Sequence, residues 1–326
     1  MRALVTGSTG FIGSHLVESL LDKGYTVSVL LREHSDLKWI RHLPVQEIFG
    51  DYADLRSLQK CVCGMDVLFH LAAVLNAPDW ETYYRANTLA VKNLIQACED
   101  ANPELKRFVF VSSIAAAGPS KHKVFRDEDS PSRPESYYGK SKLQAERIVM
   151  SFKDRIPVTI ARPPNVIGIR QRELLILLKL LKKRIYPLIG NGDLQTSLCF
   201  VQDLSKALIL MAEKEEARSQ TYYITDNKGH SWRRMLEIIA RIMGVYPRVV
   251  KVPHPLLLSA ARISEIIAGI SRQEPLISSR YILSTRTNYH LFLSDRIRRD
   301  LGFETEIPFR RGMENIVREY QERGIL

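Results

Sequence analysis

A glycine-rich turn close to the start of the chain restricts the possible folds more than any other feature. The segment Thr6 to Gly13 holds three glycines, follows the short apolar run Ala3 to Val5 and opens a helical pattern. Glycines permit a tight turn, and a helix N-terminus presents unpaired N–H groups and a positive dipole end. The turn therefore predicts a diphosphate site whose contacts are Gly7, Thr9, Gly10, Phe11, Ile12 and Gly13.

Short apolar runs alternate with helical periodicity through the first half of the chain. The helical stripes include Leu16 to Leu21, which is ended by Gly24, and Val91 to Cys98. This rhythm is typical of repeated βαβ units and predicts an α/β fold with a doubly wound parallel sheet. The six predicted strands are Ala3 to Val5, Val27 to Leu31, Val45 to Phe49, Val67 to His70, Phe108 to Ser112 and Val158 to Ala161.

Beyond the sixth strand the pattern changes to longer basic helices and short strands. We therefore predict a dinucleotide-binding domain of the Rossmann type over residues 1–162, with the chain returning to the sheet around 198–226. Residues 163–326 are predicted to form mostly a smaller substrate-binding domain. One helix there is well marked, with Ser231 as N-cap and Gly244 as the stop.

Composition excludes several classes of protein. With 45% hydrophobic and 25% charged residues, the chain has the composition of a globular protein, and it holds no apolar run long enough to span a membrane. The N-terminus has no secretory pattern, and the four cysteines are too few for a disulfide scaffold and wrongly spaced for a zinc site. We expect a cytoplasmic protein without a metal.

The positive charge is unevenly distributed. The first 150 residues carry 18 basic and 18 acidic residues, so the whole net charge of +11 lies in the remainder. Two interpretations explain these basic residues. They form either a solvated helix face or a surface that attracts an anionic ligand or membrane headgroups. Nucleic acid binding is not expected, because the sequence lacks a basic motif interspersed with aromatic residues. The densest stretch is Arg170, Arg172, Lys179, Lys182, Lys183 and Arg184, opposed by Glu173.

The ends of the next strands indicate which dinucleotide is bound. Arg32 follows the second strand where a carboxylate would bind an unmodified ribose, so it favours NADP(H), although Glu33 and Asp36 weaken its field and leave NAD possible. After the third strand, Asp51 either accepts a hydrogen bond from the adenine amino group or caps a turn, and Tyr52 follows it.

The end of the fourth strand is also predicted to face the cofactor. The small residues of the segment Leu71, Ala72 and Ala73 allow a dinucleotide to approach the backbone. His70, in contrast, is interpreted as a buried structural histidine.

A tyrosine and a lysine at helical spacing suggest acid–base chemistry. Tyr138 and Lys142 are four residues apart, which places them on one face of a helix. An ammonium group near a phenol lowers the phenol pKa, so that the phenol can exchange a proton with a carbonyl or alcohol oxygen while a nicotinamide exchanges a hydride. Lys142 can also bind the nicotinamide ribose. Ser112 and Ser113 end the fifth strand, where a hydroxyl can bind the reacting oxygen.

In this order, the motifs resemble the extended short-chain dehydrogenases/reductases of the NAD-dependent epimerase/dehydratase family. The resemblance covers nearly the whole chain, including Gly50-Asp51, Tyr138 to Lys142, Arg162 to Asn165, Phe200 to Leu204 and Asp295 to Phe303. It implies that Ser113 is the catalytic serine because it lies five residues before Gly118. It also implies a substrate-side Asn165, cofactor-side positions at Asn87 and Pro163, and a homodimer through the helices that hold Asn87 and Tyr138.

Two positions depart from the nucleotide-sugar members of that family. Leu198 stands where they usually have an arginine for the nucleotide diphosphate, and Ala117 replaces a common tyrosine. The segment Leu30 to Arg32 looks more like the branch of 3β-hydroxysteroid dehydrogenases and dihydroflavonol reductases, whose substrates are bulkier and less charged. The apolar segment Leu256 to Leu258, continuing to Ile263, Ile266 and Ile267, would line such a pocket, rest on a membrane surface or, more simply, pack in the core.

The sequence is compatible with three functions. The first is an NADP(H)-preferring oxidoreductase that interconverts a ketone and a secondary alcohol on a small-molecule substrate. The second is a nucleotide-sugar 4-epimerase or dehydratase with tightly bound NAD. The third is a cofactor sensor without chemistry, against which the retained Ser113, Tyr138 and Lys142 argue.

Overall fold

The structure is a computed structural model that describes residues 1–120, 123–189, 192–246, 248–252, 254–271 and 289–326. Its helices are α1 (Phe11–Asp22), α2 (Leu55–Val62), α3 (Trp80–Tyr83), α4 (Ala90–Ala101), α5 (Ile114–Ala117), α6 (Tyr137–Ser151), α7 (Arg172–Lys182), α8 (Val201–Glu213), α9 (Trp232–Ile242), α10 (His254–Ser271), α11 (Asp295–Leu301) and α12 (Phe309–Glu322). Its strands are β1 (Arg2–Thr6), β2 (Thr26–Leu31), β3 (Gln46–Phe49), β4 (Val67–His70), β5 (Arg107–Val111), β6 (Val158–Arg162), β7 (Asn165–Ile167), β8 (Ile185–Ile189), β9 (Gln195–Thr196), β10 (Leu198–Phe200), β11 (Thr221–Tyr223), β12 (His230–Ser231) and β13 (Arg248–Val252).

A parallel sheet of seven strands forms the centre of the molecule. The strand order is β11-β6-β5-β4-β1-β2-β3, and every neighbouring pair runs parallel. The chain leaves β1 in one direction for β2 and β3, then crosses back to β4 and continues outward. The order therefore reverses between β1 and β4, which is where open α/β sheets bind their ligands.

The doubly wound α/β fold predicted from the sequence is confirmed. All six predicted strands are present, with ends that differ by one residue at most. The seventh strand, β11, comes from the C-terminal half and pairs with β6. Helix α9 has the predicted N-cap, because the Ser231 hydroxyl accepts from the Arg234 N–H. The division into domains at residue 162 stays a prediction.

Three apolar clusters hold the layers together. The face of the sheet covered by α1 and α8 packs around residues such as Leu16 and Leu208. The opposite face packs against α2, α4 and α6. A third cluster, formed by α7, β8, β10, α9 and α12, lies in the C-terminal half. Within the described ranges, no helix is both long and apolar enough to cross a bilayer.

Glycine at position 312 is required for the packing of α12. A Cβ built there would lie 2.1 Å from the Phe200 ring, and Gly312 is buried. Alanine has a higher helix propensity than glycine. A loss of stability in Gly312→Ala would therefore come from the contact with Phe200.

We expect Gly312→Ala to lower the free energy of unfolding by about 1–3 kcal/mol, because the extra methyl overpacks the third cluster. Urea denaturation followed by circular dichroism measures the change. Arg311→Ala, at the exposed neighbouring position of the same helix, is the control and should leave the midpoint nearly unchanged. A Gly312→Ala protein as stable as the original would show that the contact with Phe200 relaxes freely.

Candidate active site

The glycine turn lies against the loop that follows β4. Gly7 has a φ of +70°, and a Cβ there would lie 2.7 Å from the Ala72 amide nitrogen. A Cβ at Gly13 would lie 2.1 Å from the Gly7 carbonyl oxygen. Backbone therefore packs on backbone, and this part of the turn tolerates no side chain.

The start of α1 is built to receive an anion. Gly10 is its N-cap, no side chain caps the helix, and the first turn contains no acidic residue. The first N–H groups of a helix have no partner within the helix. A dinucleotide diphosphate fits this arrangement, since it would accept from those N–H groups without displacing a side chain.

Thr6 connects β1 to β4 at the reversal of strand order. Its hydroxyl oxygen is 2.8 Å from Nδ1 of His70 and accepts from the N–H groups of Leu71 and Ala72 at 3.2 and 3.3 Å. Thr6 also lies close enough to Tyr52, which follows β3, to oppose the rise of the Tyr52 pKa that burial causes. His70 is fully buried, as the sequence analysis expects, and burial lowers its pKa to about 3.

The residues predicted for the adenosine side lie at the ends of β2 and β3. Arg32 and Asp51 are exposed. Asp51 Oδ1 accepts from the Ala53 N–H at 2.9 Å, so the turn-capping alternative is present in the structure. Asp36 pairs with Lys38 at 3.6 Å, which reduces its ability to offset the charge of Arg32.

Asn87 lies in a π-helical segment, Tyr84–Leu89, between α3 and α4. Its side chain is fully buried, accepts from the Val74 N–H at 2.7 Å and donates to the Val74 carbonyl and to the Ser141 hydroxyl at 2.9 and 3.1 Å. Asn87 thereby connects the loop after β4 to α6. Asn87 therefore acts on the site indirectly, through the position of this loop.

Ser113 and Tyr138 meet at the carboxyl edge of the sheet. The Ser113 hydroxyl lies close enough to the Tyr138 phenol to lower the phenol pKa, and Ser113 also caps α5 by accepting from the Ala115 N–H at 3.1 Å. Ser112 points elsewhere, because its hydroxyl donates to Glu146 at 2.5 Å. Of the two serines, Ser113 is therefore the one beside the tyrosine.

The lowering of the Tyr138 pKa expected from Lys142 together with a bound nicotinamide stays a prediction. Burial raises the pKa of Tyr138 to about 12 and outweighs the opposing effect of the Ser113 hydroxyl. Lys142 lies one turn further along α6, with Nζ donating to the Val111 carbonyl at 2.7 Å. Burial lowers the pKa of Lys142 to about 7, and the nearby Glu146 carboxylate opposes this shift.

Gly139, which the sequence analysis overlooked, brings these helices together. A Cβ at Gly139 would lie 2.2 Å from the Ala115 carbonyl oxygen. Helices α5 and α6 therefore touch through their backbones, which places Tyr138 opposite Ser113. The glycine between the tyrosine and the lysine was the available signal.

A buried ion pair beneath the site was also overlooked. Glu146 accepts from Arg162 Nε at 2.9 Å and from Nη2 at 2.6 Å, and Arg162 Nη1 donates to the Tyr223 hydroxyl at 3.0 Å. Both charged residues are buried. The signal in the sequence was a glutamate one turn after Lys142, on the buried face of α6.

Two predicted site residues follow β6, Pro163 on the cofactor side and Asn165 on the substrate side. Pro163 is buried and its carbonyl accepts from the Ile114 N–H at 3.1 Å, whereas Asn165 is exposed. Leu198 is buried in the third apolar cluster.

Within the described ranges, no group of three or more His, Cys, Asp or Glu side chains is arranged to hold a metal ion.

Comparison with known proteins identifies the family. The model of the NAD-dependent epimerase/dehydratase family matches residues 3–225. The chain belongs to this family and is an NAD-dependent enzyme, so the cofactor is a dinucleotide of the NAD class.

Several relatives match along nearly their whole length. The 4-hydroxy-2-methyl-3-oxo-4-farnesyl-3,4-dihydroquinoline-1-oxide ketoreductase of Stigmatella aurantiaca is 26% identical, over 96% of this chain and 95% of its own. The decarboxylating sterol-4-alpha-carboxylate 3-dehydrogenase of Dictyostelium discoideum is 25% identical, over 97% and 99%. The solved structure of MoeE5 in complex with UDP-glucose and NAD is 26% identical, covers 100% of both chains and gives a TM-score of 0.79.

The burial of His70 predicts a pH dependence of stability. Its pKa is about 3 in the folded protein and near 6.5 in an unfolded chain, so the unfolded state binds the extra proton as the pH falls below 6.5. We expect this group alone to lower the free energy of unfolding by about 2 kcal/mol between pH 7 and pH 5.

Urea denaturation of the original protein and of His70→Gln at both pH values measures this contribution. The pH-dependent difference should be present in the original and missing from His70→Gln, while His34→Gln, at an exposed position, should behave like the original. An equal pH slope in all three proteins would contradict the assignment.

Proposed function

We propose that the protein is an NADP(H)-preferring oxidoreductase that interconverts a ketone and a secondary alcohol on a bulky, weakly charged substrate. The observation that supports it most is that the Ser113 hydroxyl lies close enough to the Tyr138 phenol to act on its pKa, one helical turn from Lys142. This group lies at the carboxyl edge of a sheet whose glycine turn fits a dinucleotide diphosphate.

When bound, the nicotinamide supplies or accepts a hydride. Tyr138 donates its phenolic proton to the carbonyl oxygen as the carbon is reduced, and takes a proton from the hydroxyl in the reverse direction. Ser113 binds the same oxygen and orients it. Lys142 is proposed to bind the nicotinamide ribose and, when charged, to stabilise the phenolate that forms on Tyr138.

The protonation state of Tyr138 favours reduction at neutral pH. A phenol with a pKa of about 12 is protonated there and ready to donate. Oxidation of an alcohol needs the phenolate, which burial disfavours. We therefore expect the reductive direction to be faster at pH 7 and the oxidative direction to accelerate as the pH rises.

The preference for NADP(H) is supported by the charge at Arg32. Its guanidinium lies close enough to Tyr52 to oppose the upward shift of the Tyr52 pKa that burial causes, so its positive charge acts on the loop after β3. A 2′-phosphate on the adenosine ribose would accept charge-assisted hydrogen bonds from such a group.

A weakly charged substrate is supported by Leu198 and Ala117. Both are buried and apolar where nucleotide-sugar members have polar side chains. The named substrates of the Stigmatella and Dictyostelium relatives are a farnesylated quinoline and a sterol acid. We propose a ketone of similar size.

A nucleotide-sugar epimerase or dehydratase is the second candidate. The likeness to MoeE5, which was solved with UDP-glucose and NAD, spans the whole chain and favours it. Such an enzyme oxidises its sugar transiently and consumes no dinucleotide overall. UDP-glucose converted without a net change in NADPH or NADH would support this candidate and overturn the first.

A cytoplasmic location and a homodimer through the helical segments that hold Asn87 and Tyr138 remain proposals supported by composition and by the family resemblance. Sedimentation velocity of the purified chain tests the dimer.

The main proposal is tested with Tyr138→Phe. Purified protein is incubated with NADPH and cyclic ketones of increasing size, and NADPH oxidation is compared with the alcohol formed. Since the phenyl ring keeps its packing but has no proton to transfer, we expect turnover to fall by a factor of about 10² to 10⁴ while dinucleotide binding persists. Tyr137→Phe is the control and should keep most of the activity. Undiminished turnover in Tyr138→Phe would exclude the proposed chemistry.

Arg32→Ala tests the choice of dinucleotide. We expect the affinity for NADPH to fall by roughly tenfold or more, as a charged hydrogen bond is lost, and the affinity for NADH to stay the same. Fluorescence titration with both dinucleotides measures the change. Tighter binding of NADH than NADPH by the unaltered protein would contradict the role given to Arg32.

A further inference from the structure

Two basic segments of the C-terminal half contain no acidic residue. Residues 174–192 and 238–264 together carry eight lysines and arginines and neither aspartate nor glutamate. Glu173, Asp193, Glu237 and Glu265 bound them in the sequence. Two of these carboxylates pair with other arginines, Asp193 with Arg233 at 3.6 Å and Glu237 with Arg234 at 3.5 Å.

The fold joins these two segments side by side. Strand β8 of the first pairs in parallel with β13 of the second, with Ile185 opposite Arg248 and Pro187 opposite Val250. The Arg248 N–H also donates to the Arg184 carbonyl at 2.9 Å. Positive charges that are far apart in the sequence therefore lie on one surface.

The same segments expose apolar side chains. Of the eleven large hydrophobic residues that are exposed among those described, six lie here, and Tyr246 is 92% exposed. The six are Ile176, Ile185, Tyr246, Val250, Leu256 and Ile263. The simpler expectation that Leu256 and Ile263 pack in the core is wrong, since they are 62% and 57% exposed. The side chains of Leu257, Ile266 and Ile267 lie outside the described residues.

Not all of the basic stretch noted in the sequence belongs to this surface. Arg170 is held inside the fold, with Nη2 2.5 Å from Glu18 and Nη1 3.0 Å from the Ser14 hydroxyl. Lys182, Lys183 and Arg184, in contrast, are exposed. We call Lys182 to Ile185, Tyr246, Arg248 and Val250 the basic apolar surface.

We propose that the basic apolar surface docks the protein on an anionic lipid bilayer. Lysine and arginine side chains attract the headgroups, while exposed tyrosine, isoleucine and valine side chains enter the boundary between headgroups and acyl chains. The surface combines these two features. A nucleic acid partner would explain the exposed cations. It would not explain the exposed aliphatic side chains, because nucleic acid surfaces instead use several aromatic side chains on which bases stack.

The docking does not depend on the proposed reaction, because none of its residues belongs to the Ser113, Tyr138 and Lys142 group. It would bring the enzyme to substrates that reside in a bilayer. A negative result in the lipid test would therefore not contradict the proposed function. A negative result in the test of the proposed function would likewise not contradict the lipid docking.

Co-sedimentation of the full chain with vesicles tests the proposal. We expect binding to vesicles of equal parts phosphatidylcholine and phosphatidylglycerol, little binding to phosphatidylcholine alone, and weaker binding as the salt concentration rises. The double variant Lys182→Glu/Lys183→Glu should lower partitioning by at least about tenfold. Tyr246→Ser should lower it by roughly threefold at unchanged net charge.

The matched control is Lys60→Glu/Lys153→Glu, which makes the same charge change at exposed positions elsewhere and should partition like the original. Melting temperatures check that each variant is folded. Equal loss of binding in the control and in Lys182→Glu/Lys183→Glu, equal binding to neutral vesicles, or no binding at all would overturn the proposal. Tighter binding to a nucleic acid duplex than to the vesicles, or self-association that the surface variants abolish, would assign the surface to that partner instead.

Discussion

The backbone contact between the turn after β1 and the loop after β4 is the constraint on which the site depends. Parallel pairing of β1 and β4 places Thr6 opposite His70, so both strands end at the same level and their loops must share one small space. A Cβ at Gly7 would lie 2.7 Å from the Ala72 backbone, which leaves room for glycine alone. The result is a floor made of backbone, from which α1 rises with uncapped N–H groups. Strand order, glycine position and anion binding are thus consequences of one arrangement.

A second close contact governs the chemistry. Gly139 allows α5 and α6 to touch, and this contact brings the half-buried Ser113 and Tyr138 side chains together. Burial acts in opposite directions on the neighbouring groups, raising the pKa of Tyr138 and lowering that of Lys142, because it disfavours whichever form is charged. The Glu146 carboxylate beneath them restrains the shift of Lys142, and it is itself neutralised by Arg162. Protonation at the site therefore depends on the buried Glu146–Arg162 pair as well as on Tyr138 and Lys142 themselves.

The two halves of the chain use charge differently. In the first half, acidic and basic residues balance, and the polar groups that matter are buried around Thr6, Asn87 and Glu146. In the second half, part of the excess of positive charge lies beside β8 and β13, next to exposed apolar side chains. An enzyme with its chemistry in one half and a lipid-facing surface in the other would be suited to apolar ketones, which have low solubility in water. The two proposals are compatible but rest on separate observations.

The sequence by itself determined the strands, the glycine turn and the tyrosine–lysine pair, since these depend on local periodicity and on spacing along one helix. It also separated the chain into a charge-balanced half and a basic half. Only the tertiary structure decided that the Ser112 hydroxyl bonds Glu146, that Arg170 is paired with Glu18, and that Leu256 and Ile263 are exposed. It alone revealed Glu146 with Arg162, and the joining of two distant basic segments through β8 and β13. These features arise between elements far apart in the chain, where burial and pairing depend on how helices and strands pack, and no local pattern records that packing.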